Sequence, residues 1–122
     1  MIQFFKNRLR GLGVFTLLLS GPIITQAYDF KEGDIYYNKL SDTEVEVTYD
    51  SPSYDSYSGD VVIPESVTHN EVKYSVTSIG AAAFYDSYKL TSVKIPDSVT
   101  SIGNNVFRYS GLTSIEIGRA HV

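Results

Sequence analysis

The chain has 122 residues, of which 14 are acidic and 10 are basic, and it contains no cysteine. Its acidic balance argues against a nucleic-acid-binding role, because such proteins carry a basic surface that meets the phosphate backbone. The absence of cysteine excludes disulfides, and with only two histidines, His69 and His121, no zinc site is expected. The apolar core alone must therefore hold the fold together.

Residues 1–27 have the features of a secretory signal peptide. Basic residues without any acid precede an apolar run over 11–24, and small residues then occupy the two positions that a signal peptidase reads. The run is shorter than the about 20 apolar residues of a membrane span, which favours cleavage over an uncleaved anchor. The mature chain would begin near Tyr28 with 7 basic and 14 acidic residues, a net charge of −7. No second apolar segment follows, so we expect a secreted chain without a transmembrane segment.

A strand-rich leader is expected over residues 28–59. Two strand-like runs, 34–40 and 44–49, are separated by three polar residues, which predicts a β-hairpin. The second run alternates apolar with polar residues, so we expect one face to be buried, with Thr48 on the solvent side. Such a hairpin would cap the open end of a repeat array.

The acidic residues of this hairpin suggest two interpretations. Asp42, Glu44 and Glu46 lie close together in the sequence and could form a cation site. Ligands spaced by two along a single strand do not surround an ion, however. A solvated edge strand whose charges oppose aggregation is therefore favoured. The sequence predicts neither a metal nor a cofactor.

The pentapeptide VTSIG occurs at 76–80 and again at 99–103, 23 positions apart. The segments that begin at these two sites align over the strand and turn that follow, with the second copy one residue shorter. Residues 61–67 match residues 93–99 as part of an earlier copy, and residues 68–75 would form an additional hairpin. The chain is therefore expected to be built from repeats.

A repeat of 22 or 23 residues is too short to enclose a core, so each unit must bury its apolar side against its neighbours. Pro96 would end the strand of one unit because it lacks an N–H group, and Gly103 would permit the next corner. Apolar residues with matching positions in successive units should stack in register, Ile79 on Ile102 among them. The expected repeat core comprises Ile63, Ile79, Phe84, Leu90, Val93, Ile95, Val99, Ile102, Phe107, Leu112 and Ile115.

The pattern LxxVxIPxSVxxIGxxxF, which covers residues 60–116, resembles the BspA-type bacterial leucine-rich repeats. The resemblance implies a β-rich solenoid: right-handed coils of short parallel strands with short helical or irregular convex segments, preceded by the antiparallel hairpin cap. It also implies a secreted or cell-surface protein that contacts host proteins, matrix or other cells. Members of the family often carry a cysteine where this chain has Ser87, so no cysteine-based stabilisation is implied here.

Two sets of residues are candidates for recognition. The strand positions that alternate with the core form a candidate ligand-facing surface, for which binding and plain solubility are equally favoured; they are Val62, Ser92, Lys94, Ser114 and Glu116. Lys94 and Glu116 would lie opposite each other as an exposed ion pair. The motif YDSY at 54–57 and 85–88 suits protein or carbohydrate contact, although turn chemistry with partial packing is the favoured interpretation; its tyrosines are Tyr54, Tyr57, Tyr85 and Tyr88.

No catalytic motif is found, and His69 is expected to be a surface residue in a turn. The best-supported function is a non-catalytic protein-binding or adhesion module. The alternatives are a carbohydrate-contacting accessory module and a targeting arm for an enzyme domain elsewhere in the protein. The final segment, IGRAHV at 117–122, resembles a translated sequencing adapter, which predicts a non-native tail that truncates a longer array. A two-coil fragment would then be marginally stable or self-associating through its open end.

Overall fold

The computed structural model describes residues 28–50 and 54–118. The expected signal peptide lies outside the described residues, as do residues 119–122 of the expected tail. Within the described ranges every regular element is a strand, and the segments expected to be helical or irregular are turns. The strands are β1 (Phe30–Glu32), β2 (Ile35–Lys39), β3 (Glu44–Thr48), β4 (Gly59–Val62), β5 (Ser66–His69), β6 (Val72–Ile79), β7 (Leu90–Ile95), β8 (Ser101–Ile102) and β9 (Ser114–Ile117).

The strands form two sheets. The first sheet is mixed and has the order β1-β2-β3-β6-β5, with β8 pairing with the end of β6. The second sheet contains β4, β7 and β9 in that order, and both of its pairings are parallel. The chain passes from the second sheet to the first and back within each repeat, so successive repeats add one strand to each sheet.

The leader hairpin predicted from the sequence is confirmed. Strands β2 and β3 are antiparallel, with Tyr37 opposite Val47, and β3 then pairs in parallel with β6, where Val47 lies opposite Ile79. Because β3 has a neighbour on each side, the interpretation of its acidic residues as part of an edge strand was wrong. Thr48 is buried rather than solvated, at 3% exposure.

The hairpin predicted between the first two repeats is also present. Strands β5 and β6 are antiparallel, and Asn70 and Glu71 form the turn between them. Both turn residues have positive φ angles, 51° and 68°, as the two-residue turns that match strand twist require.

Successive repeats stack in register. Ile79 pairs with Ile102 where β6 meets β8, and Val93 pairs with Ile115 where β7 meets β9. The turns between the sheets stack as well, since the N–H groups of Ala82, Phe84 and Asp86 donate to the carbonyls of Asn104, Val106 and Arg108 at 2.8–3.0 Å. Positive φ angles recur at equivalent places in both turns, at Ala82, Asp86, Asn105 and Tyr109. The repeat seen in the sequence is therefore a repeat of backbone conformation.

The core runs between the two sheets. Six of the expected core residues are buried to 2% exposure or less: Ile63, Ile79, Phe84, Leu90, Val93 and Ile95. Three others pack against them while partly exposed: Val99, Phe107 and Leu112. Ile102 and Ile115 were expected in the core but are 49% and 43% exposed, because no further strand of the described chain stacks on β8 or β9.

Gly103 allows the close approach of two successive turns. Its N–H group donates to the carbonyl of Ile79 at 2.8 Å, and a Cβ atom built at Gly103 would lie 2.5 Å from the backbone nitrogen of Ala81. The glycine of VTSIG is therefore required by the spacing between coils, since backbone atoms cannot yield as a flexible side chain does.

We expect Gly103→Ala to lower the free energy of unfolding by about 1–3 kcal/mol, the usual range for overpacking. Urea denaturation followed by circular dichroism measures the change. Asn104→Ala is the matched control, because Asn104 is exposed and adjacent, and its loss should change stability by less than about 0.5 kcal/mol. Equal stability of the two variants would contradict the role assigned to this close approach.

Candidate functional site

The second sheet presents one exposed face whose residues lie in register across three strands. Asp60 of β4 lies opposite Ser92 of β7, which lies opposite Ser114 of β9, and the next row runs from Val62 through Lys94 to Glu116. Five of these six residues formed the candidate surface predicted from the sequence. We call the six residues together the polar face.

Asp60 is the member of the polar face that the sequence did not indicate. Its Oδ1 atom accepts hydrogen bonds from the hydroxyls of Thr91 at 2.9 Å and Ser92 at 2.6 Å. These two bonds hold the pKa of the Asp60 carboxyl below its usual value, so the charge persists into acid. The sequence did contain a signal for Asp60. Residues 61–67 match residues 93–99 at an offset of 32, and the same offset relates Asp60 to Ser92.

The second row of the polar face combines an apolar residue with an ion pair. The Lys94 ammonium lies 4.0 Å from a carboxylate oxygen of Glu116, which confirms the predicted pair. Both side chains are more than half exposed, so the pair contributes little to stability. Val62 is 64% exposed beside them and offers an apolar contact that the fold itself does not use.

The two YDSY motifs have different environments. Tyr57 was a candidate ligand-facing residue, with packing the favoured interpretation, and it is buried at 4% exposure: its hydroxyl donates to the Thr48 carbonyl at 2.5 Å and accepts from the Tyr36 N–H at 3.1 Å. Burial raises the pKa of Tyr57 far above its ordinary value. In the second motif Tyr88 is 59% exposed. The same four letters therefore give one structural and one surface tyrosine.

The first tyrosines of the two motifs belong to an aromatic ladder on the turn side of the molecule. The ring of Tyr54 lies 4.6 Å from that of Tyr49 and 5.0 Å from that of Tyr85, and the ring of Tyr85 lies 5.6 Å from that of Tyr109. Tyr54 and Tyr109 are substantially exposed. Beneath this ladder Tyr57, Phe84 and Phe107 form a second, more buried series of ring contacts.

Ser87, at the position where the resembling family often has cysteine, is completely buried. Its hydroxyl donates to the carbonyl of Tyr54 at 3.3 Å, so it ties the first repeat turn to the leader loop. Its backbone carbonyl accepts from the N–H groups of Leu90 and Gly111. The side chain is a structural link between segments and not a site of chemistry.

His69 is not the plain surface residue that the sequence indicated. Its Nδ1 atom lies 2.6 Å from the Glu32 carboxylate, and its ring stacks on Phe30 with centroids 4.1 Å apart. These contacts join the β5–β6 hairpin to β1 of the leader. The separation of 37 positions between Glu32 and His69 explains why no local pattern revealed the pair.

The described part of the chain contains no cluster of three or more histidine or acidic residues that could hold a metal ion. Glu44, considered above as a ligand, instead accepts a hydrogen bond from the Thr77 hydroxyl at 3.2 Å. In the same ranges no helix is long and apolar enough to cross a membrane. What the geometry does supply is a set of hydroxyls, charges and one apolar side chain in register on a parallel sheet, which suits recognition.

Comparison with known proteins agrees with the geometry. Residues 62–121 match the family model described as a BspA type leucine rich repeat region (6 copies), as the sequence resemblance implied. A search of curated proteins finds no match.

Three similar solved structures are all bacterial leucine-rich repeat proteins. One, from Bacteroides ovatus, is 39% identical with a TM-score of 0.64 over 75% of this chain and 24% of its own. A second, from Bacteroides capillosus, is 29% identical with a TM-score of 0.60 over 73% of this chain and 64% of its own. A leucine rich cell surface protein from Faecalibacterium prausnitzii is 29% identical with a TM-score of 0.60 over 79% of this chain and 24% of its own. The chain thus spans about a quarter of the length of two of these relatives.

Alkaline pH should destabilise the fold through Tyr37 of the leader. Burial, with a smaller contribution from the Glu32 carboxylate, raises the pKa of Tyr37 from 10.0 to about 12. Because a tyrosine in the unfolded chain ionises near pH 10, the stabilisation is fully present below that pH. It is lost as the pH rises towards 12, by about 2–3 kcal/mol.

Urea denaturation at about pH 8 and about pH 11 measures how much the free energy of unfolding falls between these pH values. We expect a smaller fall for Tyr37→Phe than for the wild type, because phenylalanine does not ionise. Tyr88→Phe is the matched control, because Tyr88 is exposed and should leave the pH dependence unchanged. A Tyr37→Phe variant with the wild-type loss of stability would show that this tyrosine does not titrate as its burial implies.

Proposed function

Because the repeat region, residues 62–121, is of the BspA-type leucine-rich repeat family, we propose that the chain belongs to a secreted or cell-surface bacterial protein whose polar face binds other proteins. Repeat proteins of this kind are generally non-catalytic and typically extracellular or surface-associated. We further propose that these repeats belong to a longer array. The chain spans only 24% of the length of two similar structures, which supports this part of the proposal.

The observation that carries this proposal is the register of the polar face. Parallel strands place equivalent residues of successive repeats side by side, so a partner meets an ordered surface of hydroxyls, charges and Val62. The backbone of these strands is fixed by its own ladders, so little conformational entropy is lost on binding. Each further repeat would extend the same face without a change of scaffold.

A carbohydrate ligand is the second candidate, and the aromatic ladder favours it. Tyr54 and Tyr109 are exposed and lie close to Tyr85 on the turn side, and none of the three belongs to the polar face. Tyrosine rings give a large contact area at low entropy cost. A glycan would use this ladder, whereas a protein partner would use the polar face, so the two candidates predict sensitivity to different substitutions.

The test is binding of the full chain to a panel of immobilised matrix proteins and to a glycan array, measured with three variants. The double variant Val62→Ser, Lys94→Ala alters the polar face, and Tyr54→Ala, Tyr109→Ala alters the ladder. Lys73→Ala is the matched control, because Lys73 is an exposed lysine of β6 in the first sheet. We expect saturable binding to at least one matrix protein, weakened by about tenfold or more in the polar-face variant alone.

Binding only to glycans, with loss in the ladder variant, would replace the proposal with the carbohydrate candidate. Binding that all three variants retain equally would show that neither surface is the site. Thermal unfolding of each variant must match the wild type, so that a loss of binding is not a loss of fold.

A further inference from the structure

The outer edge of β4 has no partner strand among residues 28–50 and 54–118. The Ile63 N–H group donates to the carbonyl of Lys94 at 3.0 Å, and that of Gly59 donates to Lys89 at 2.9 Å. Backbone groups alternate in direction along a strand, so those of Asp60 and Val62 point away from β7 towards the open edge. An open strand edge of this kind is a template for another strand.

The leader covers one sheet and leaves the other open. Strand β3 pairs with β6 of the first sheet, but no strand in the described part of the leader, residues 28–50 and 54–59, pairs with β4 of the second. A cleft of about 670 Å³ remains between the β1–β2 hairpin and the open edge of β4. This volume lies within the about 300–1,000 Å³ usual for ligand sites. Its walls include Lys31, Tyr36, Tyr57, Ser58, Asp60 and Val62.

The charges around this cleft are mainly negative. Among the described residues that line it, Glu32, Asp34 and Asp60 are acidic and Lys31 alone is basic. The Lys31 ammonium lies over the ring of Tyr36 at 5.0 Å, and Glu32 is paired with His69. Asp34 and Asp60 are both exposed. A complementary ligand would therefore be cationic.

We propose that an extended, basic segment of a partner protein docks in this cleft by adding a strand to the open edge of β4. The four residues of β4 offer about 13 Å of edge, which is enough for a strand of about four residues. The main chain of the ligand pairs with Asp60 and Val62, and its basic side chains face Asp34 and Asp60. That the partner is a protein rests on the proposed function. The binding mode differs from the one proposed there, because the ligand uses the edge of the second sheet and not its face.

The test measures fluorescence anisotropy of a fluorescein-labelled heptapeptide of alternating valine and lysine with the full chain. One control peptide carries an N-methyl group on every backbone nitrogen, so that neither of its edges can donate, and the other carries glutamate in place of lysine. Val62→Pro removes the outward N–H group, a change that edge strands tolerate, and Val62→Ala is the matched control that keeps it. We expect about tenfold or greater weakening with either control peptide, and about tenfold weaker binding by Val62→Pro than by Val62→Ala, because both variants shorten the side chain and only proline removes the N–H group.

Equal affinity for the N-methylated peptide would reduce the interaction to charge attraction and overturn the proposal. So would undiminished binding by a folded Val62→Pro variant, or no saturable binding of the lysine peptide up to about millimolar concentration. If Val62→Pro unfolds, the N-methylated peptide with the wild-type chain still decides the matter. Failure of the proposed function alone would appear as peptide binding at the edge without any matrix protein bound by the polar face.

Discussion

The structure depends on one constraint: no single repeat can bury its own apolar side chains. Phe84 is completely buried because Phe107 of the next turn stacks on it with nearly parallel rings, 5.5 Å between centroids, and Tyr57 covers it from the other side. Stacking at this distance requires successive backbones to approach closely, and Gly103 makes the approach possible. VTSIG thus recurs because each repeat needs a glycine where its backbone packs closely against that of the preceding repeat.

The leader is explained by the same constraint. The first repeat needs a neighbour, and β3 supplies one by pairing in parallel with β6 as a further repeat would. Two contacts reinforce the junction: the Ser87 hydroxyl donates to the carbonyl of Tyr54, and the ring of Tyr57 packs against that of Phe84. The first sheet is therefore covered by a substitute strand, and the second is not. Because the leader covers only one of the two sheets, an open strand edge remains beside the leader hairpin.

What the sequence could predict is what repeats or alternates locally. The burial of Val93 and Ile95 follows from strand alternation, and the hairpin at Asn70 from its turn residues. The contact of His69 with Glu32 spans the leader and the repeats, so no local pattern contains it. The burial of Tyr57 was not predicted for the same reason. Its contact with Tyr36 of the leader is what distinguishes it from the exposed Tyr88.

The side-chain contacts within the second sheet differ between its strands, and this difference affects where a ligand can bind. In the row that contains Lys94 and Glu116 the two charges meet each other, and Ser92 donates to Asp60 in the row beside it. A ligand on the face of β7 or β9 must compete with these contacts. On β4 the outward backbone groups face no other strand of the described chain, and Val62 is the most exposed of its large apolar residues. A strand that pairs with these outward backbone groups breaks no strand pairing of the described chain, so the open edge of β4 is the position at which the fold least opposes binding.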